Sequence, residues 1–170
     1  MTNTVTIDSF GQALSDWVER QEFPRIRTLS LFSGAGGLDI GFHDAGFRVA
    51  EMVEIDERFC KTLAANTEAD SYFGPARVRQ IDIREYDPSH LGQIDFIIGG
   101  PPCQTFSAAG RRAAGVAGTS DRRGTLFEEY VRLLAKLQPQ GFLFENVYGI
   151  TGAENGEAWR QICEGFRGAG

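Results

Sequence analysis

With 170 residues, 42% of them hydrophobic and 24% charged, the chain has room for one domain with a real core. No run of about 18 apolar residues occurs, which excludes a membrane-spanning helix. Read alone, the net charge of −6 argues against a nucleic-acid binder, since phosphate contacts need clustered Lys and Arg.

The segment "SFGQALSDWVERQ" (9–21) predicts an amphipathic helix with Phe10, Leu14, Trp17 and Val18 on one face, a Ser9–Gln12 capping box and a stop at Pro24. Strand and helix patterns then alternate. "RTLSLF" (27–32) is a β-rich run that leads into glycines, and "LDIGFHDAG" (38–46) is a helix closed by Gly46. "RVAEMVEI" (48–55) reads as a strand, and "DERFCKTLAAN" (56–66) as a helix capped by Asp56. "ARVRQIDI" (76–83) and the buried "IDFIIGG" (94–100) are the next strands. "TLFEEYVRLLAKL" (125–137) is the clearest helix, with Phe127, Tyr130, Val131, Leu134 and Leu137 as its stripe. "GFLFENV" (141–147) makes a fifth strand, and a last helix is expected over 157–166. Such alternation predicts an α/β fold, a parallel sheet doubly wound by helices, whose ligand sits at the carboxyl ends of the strands.

Those ends carry the unusual residues. Gly34 and Gly36 in "FSGAGG" let a ligand approach the backbone ahead of a helix N-terminus. Glu54 lies 20 residues beyond Gly34, the distance at which an acid reaches ribose hydroxyls, and it is expected to accept two of them. Asp82 suits an adenine amino group. No G-K-[ST] follows the glycines, so a phosphate-gripping P-loop is excluded. Cys103 follows Pro101 and Pro102, a corner stiffened by proline. Strand five, beside it, ends in Glu145-Asn146. Residues 107–124 set Arg111, Arg112, Arg122 and Arg123 against a single Asp121, a basic loop.

A thiolate added to carbon 6 of cytosine makes carbon 5 an enamine nucleophile, and a carboxyl at ring N3 assists by sharing a proton. A basic loop can close over DNA from which that base is flipped. Cys103, Glu145, an adenosine pocket and the arginine loop are candidates for each part. Cys60 and Cys163 read as structural, and His43 and His90 as surface residues. The odd, widely spaced cysteines form neither a disulfide framework nor a zinc site, so no metal is expected.

On these motifs the chain resembles the N-terminal half of the DNA (cytosine-5) methyltransferases. "LSLFSGAGGLDIGFHDAGF", "EIDERFCKTLAAN", "DI" at 82–83, "DFIIGGPPCQTFSAAGRR", "RRGTLFEEYVRLL" and "FLFENV" are similar to the family's first six motifs, in order, over about residues 28–150. The resemblance implies a Rossmann-like, S-adenosylmethionine-dependent methyltransferase sheet, incomplete at its C-terminal edge. It covers residues 27–170, after an N-terminal helical extension over 1–26. It makes Cys103 the nucleophile, Glu145 the contact to N3 and Asn146 a brace for the catalytic turn. Phe32, Gly34, Gly36, Gly37 and Leu38 would line the S-adenosylmethionine pocket. Glu54 would hold its ribose, Ile55, Asp82 and Ile83 its adenine, and Pro102 and Leu126 its other side. Gln104, Ser107, Arg111 and Arg112 would face DNA.

The family's later Q-x-R-x-R strand, target-recognition region and last cofactor-packing helix have no counterpart in these residues. The expected partners are therefore DNA and a C-terminal half or second subunit, with no membrane. A split-enzyme subunit, a truncated product and a fragment remain open. So do a catalytically silent remnant and an RNA cytosine-5 methyltransferase. A bacterial cytoplasmic or nucleoid-associated enzyme of a restriction-modification system is the implied setting.

Overall fold

A computed structural model of the chain describes residues 7–21, 24–68, 71–102, 125–152 and 156–170. After helix α1 (Ile7–Arg20), strand and helix alternate: β1 (Ile26–Leu31), α2 (Gly37–Asp44), β2 (Phe47–Glu54), α3 (Glu57–Ala65) and β3 (Arg77–Gln80). Two short 3-10 turns, Ile83–Glu85 and Pro88–His90, lead to β4 (Phe96–Gly99). Then come α4 (Thr125–Leu137), β5 (Gly141–Phe144), a 3-10 turn at Tyr148–Thr151 and α5 (Glu157–Ala169).

The five strands form one sheet in the order β3-β2-β1-β4-β5, with every pair parallel. The chain winds outward from β1 to β3, returns to β4 and winds outward the other way. Right-handed crossovers therefore put α2 and α3 on one face and α4 on the other, and leave a crevice where the order reverses between β1 and β4. The packing follows. Met52 and Val53, neighbours in β2, enter different apolar clusters, as alternating strand side chains must. Met52 joins Val49, Leu63 and Phe73 beneath α3, whereas Val53 joins Leu29, Leu31, Ile97, Tyr130 and Leu133 beneath α4. The Tyr130 hydroxyl, fully buried, donates to the Leu143 carbonyl at 2.9 Å and ties α4 to the edge strand β5.

Several expectations from sequence change. α1 begins before Ser9, so Ser9 lies inside the helix, and Gln12 donates to Asp16 at 2.7 Å. Two of its four stripe residues are outward, Phe10 being 70% and Trp17 49% exposed, whereas Leu14 and Val18 are half-buried. β3 ends at Gln80, because Asp82 caps a 3-10 turn through the Arg84 amide. β5 ends at Phe144, and α5 runs three residues beyond the expected Phe166. Glu51, in mid-strand, is fully buried; it accepts from the Tyr86 hydroxyl at 2.6 Å and lies 3.0 Å from His90 Nε2. His90 thus satisfies a buried acid rather than merely decorating the surface. Two caps agree with the sequence reading: Asp56 accepts from the Arg58 amide at 2.8 Å, and Gly46 donates to the His43 carbonyl at 2.9 Å.

Candidate active site

The turn after β1 shapes the crevice. Phe32 has φ +55°, a left-handed conformation that non-glycine residues rarely adopt and that costs on the order of 1–3 kcal/mol. It is held there because the Ser33 amide donates to the Val53 carbonyl at 3.2 Å. Gly36, at φ +90°, caps α2, and a Cβ there would fall 2.9 Å from Leu63 Cδ2. Only glycine meets both conditions.

Glu54 closes the far side of the turn. Its Oε2 accepts from the Gly34 amide, and its Oε1 accepts from the amides of Ile55 and Asp56, each at 2.8 Å. A carboxylate has about four acceptor positions, so three are taken. Acceptor capacity therefore remains on the cavity side for a ligand hydroxyl. Gly34 therefore serves by fixing Glu54.

A cavity of about 260 Å³ opens beside this turn, lined by Phe32, Glu54, Ile55, Asp82, Ile83, Pro102 and Leu126 among others. Seven residues chosen from sequence thus meet around one space. Val53, Ile81, Arg84 and Gly100 also line it and were not anticipated. Asp82 accepts from the Arg84 amide at 3.0 Å and from its Nε at 2.8 Å, and the guanidinium holds its carboxyl below the ordinary carboxylate range. Arg132 of α4 braces this wall, donating to the carbonyls of Ile83 and Tyr86 at 3.1 Å each. Nothing in the sequence marked Arg132 except a helical position near Glu129.

A second cleft of about 430 Å³ adjoins the first, since Phe32 and Gly100 line both. Gly37, Leu38, Asp39 and Glu145 are among its walls. The ends of β4 and β5 meet here. The Glu145 amide donates to the Gly99 carbonyl at 2.9 Å, and Asn146 Nδ2 donates to the Pro101 carbonyl at 3.1 Å. A Cβ on Gly100 would fall 2.5 Å from Glu145 Oε2, so glycine there lets the carboxyl lie against the turn. Cys103, Gln104, Ser107, Arg111 and Arg112 lie outside the described residues. Cys60 is buried and its Sγ lies 3.5 Å from the Glu54 carbonyl, and burial pushes its thiol pKa up, the opposite of what a nucleophile needs.

The lining combines apolar side chains with two acids, Glu54 and Asp82, so the cavity offers both apolar walls and hydrogen-bond acceptors. Among the described residues no group of three or more His, Cys, Asp or Glu could hold a metal ion, and no helix is long and apolar enough to cross a membrane.

Comparison with known proteins bears on what this crevice belongs to. The family model for C-5 cytosine-specific DNA methylases matches residues 26–170. The Fusobacterium nucleatum type II methyltransferase M.FnuDI is 43% identical over 145 residues, covering 85% of this chain and 39% of that protein. The type II methyltransferase M.AquIA of a Picosynechococcus species is 42% identical, over 80% of this chain and 54% of its own length. A crystal structure of an E. coli protein assigned as a prophage-encoded DNA modification methyltransferase superposes with a TM-score of 0.64 at 33% identity, over 84% of this chain and 38% of that one. The chain thus spans roughly two-fifths to half the length of these relatives. From the sheet, the crevice and this match along most of its length, the chain belongs to the C-5 cytosine-specific DNA methylase family.

Proposed function

We propose that these residues form the cofactor-binding and catalytic part of an enzyme that methylates carbon 5 of cytosine in DNA, using S-adenosylmethionine. The observation that carries the reading is the junction of β4 and β5. There Glu145 and Asn146 are bonded to Gly99 and Pro101, immediately ahead of Cys103 in sequence.

In this reading Cys103, as thiolate, adds to carbon 6 of a flipped cytosine. Glu145, held against Gly100, shares a proton with N3 and drains charge from the ring as the carbon–sulfur bond forms. Carbon 5 then carries the electron pair. The bound cofactor supplies an electrophilic methyl group. Once carbon 5 holds that methyl, water takes its proton, the carbon 6–sulfur bond breaks with its electrons returning to the Cys103 thiolate, and the ring is restored. Asn146 fixes the Pro101 carbonyl, so the segment leading to Cys103 is positioned by the same strand end that presents Glu145. Phe32, Ile55, Ile83 and Leu126 offer apolar walls to adenine, and Glu54 offers its remaining acceptor position to the ribose. Gln104, Ser107, Arg111 and Arg112 are assigned to DNA on sequence grounds. Recognition of the target sequence is assigned to chain beyond these residues, in the same polypeptide or a second subunit.

The test is adduct formation by the complete enzyme on DNA carrying 5-fluorocytosine, whose fluorine cannot leave as a proton. The expected outcome is a covalent complex mapped by mass spectrometry to Cys103. The Cys103→Ser variant should form none and transfer no methyl, yet bind S-adenosylmethionine within about twofold of wild type, because the thiol acts on the base. Wild-type turnover by the serine variant would refute the mechanism.

A further inference from the structure

We propose that Asp39 anchors the α-ammonium group of the cofactor's amino-acid end, which enters the cleft beside the N-terminus of α2. This rests on the reading of the adjoining cavity as the S-adenosylmethionine pocket.

Asp39 stands in the first turn of α2 and is fully buried. Neither of its carboxyl oxygens has a hydrogen-bond partner. Among the described residues the only other buried side-chain polar atom in that state is His43 Nδ1, one turn further along the helix. The nearby hydroxyls of Ser30 and Ser33 are occupied with each other at 2.8 Å. Burial lifts the Asp39 carboxyl above the ordinary carboxylate range; the nearby Ser30 hydroxyl reduces the lift without making a hydrogen bond of normal geometry. Burying an acid without a donor is costly. A cationic ligand group would supply the missing partner.

The surroundings say which cation. Asp39 lines the 430 Å³ cleft together with Gly37 and Leu38, whose amides belong to the open first turn of α2. Amides at a helix N-terminus favour an anion, whereas the carboxyl beside them favours a cation. An amino-acid zwitterion carries both charges on one carbon and matches that pair. Phe32 and Gly100 form walls of both this cleft and the 260 Å³ cavity, so one ligand can place its nucleoside in the cavity and its amino-acid end here.

The experiment measures binding of S-adenosylhomocysteine, and of the analogue whose amino group is replaced by hydrogen, to the full-length protein by calorimetry. Wild type should prefer the amine by about tenfold or more, the worth of a charge-assisted hydrogen bond. Asp39→Asn should shrink that preference to about threefold or less, with affinity for the amine-free ligand unchanged within about twofold. Should the variant fail to fold, the wild-type preference still decides. Equal wild-type affinity for the two ligands, or an undiminished preference in the variant, overturns the proposal. A variant that loses methyl transfer but keeps its preference likewise overturns it and points Asp39 toward Glu145 instead. Failure of wild type to bind either ligand would overturn the cofactor reading itself.

Discussion

Glu54 is a scaffold for its turn and, in the proposed reading, a ligand-binding group as well. Its carboxylate gathers three backbone amides, from Gly34, Ile55 and Asp56, and still borders the cavity. Replacing it should therefore have two separable effects. Glu54→Ala leaves the three amides without their acceptor and should lower unfolding free energy by about 1–2 kcal/mol. It should also weaken S-adenosylmethionine binding by about 1.5–3 kcal/mol, through loss of the ribose contact and loosening of the Gly34 turn. Urea denaturation reads the first effect and titration calorimetry the second. Unchanged affinity would remove Glu54 from the site. The 20-residue spacing from Gly34 revealed the acid, but not its amide bonds, because those depend on how closely the ends of β1 and β2 approach in space. The same holds for Asp39. Within "GLDIGF" it reads as one more polar helix position, and only the packing against β1 shows it to be buried and unpartnered.

At the level of elements, the sequence was most legible where a period was long. The bounds of α4, Thr125–Leu137, follow directly from its apolar stripe, although Leu133, fully buried, lay outside the stripe as read. Strand ends were less legible, because "IDI" continues the apolar run of β3 while Asp82 turns the backbone into a 3-10 turn by capping it. The strained φ of Phe32 could not be read from composition, since phenylalanine is expected to continue a strand. The glycines after it were legible as a turn, but not which of them is obligatory. The structure separates them. Gly36→Ala must adopt φ +90° and push against Leu63, and should destabilise the fold by about 1–3 kcal/mol. Gly37→Ala enters the first turn of α2 with nothing within 4 Å and should be neutral, or stabilising by about 0.5–1 kcal/mol. Urea midpoints of the two variants check the contrast; equal loss at both would mean that the turn is not held as described.

For the whole molecule, the sheet's shape bears on what these 170 residues can do by themselves. β5 pairs only with β4 among the described strands, which leaves its other side as an edge. Phe142 in that strand is 39% exposed, and Val147 and Tyr148 just beyond it are 57% and 91% exposed. An unpaired edge flanked by apolar side chains recruits another strand or another surface. The relatives extend well past the matched region, since the chain covers 39% of one and 54% of another. Reading base edges requires an element fitted to a groove, and the described strands and the helices α2, α3 and α4 are committed to the sheet and its two faces. The basic stretch at 107–124, assigned to DNA in the proposed reading, would make phosphate contacts that are weak and salt-sensitive without base readout. A polypeptide of these residues alone should therefore bind S-adenosylmethionine, self-associate at micromolar concentration, and neither methylate DNA nor prefer a sequence. Supplying the remaining half of a full-length relative in trans should restore methylation and a defined particle size together, because one surface explains both defects. Methyl transfer to mixed-sequence DNA and light scattering, each with and without that half, make the comparison. Site-specific methylation by a monodisperse, unaided chain would show that the edge needs no partner and that recognition resides within these residues.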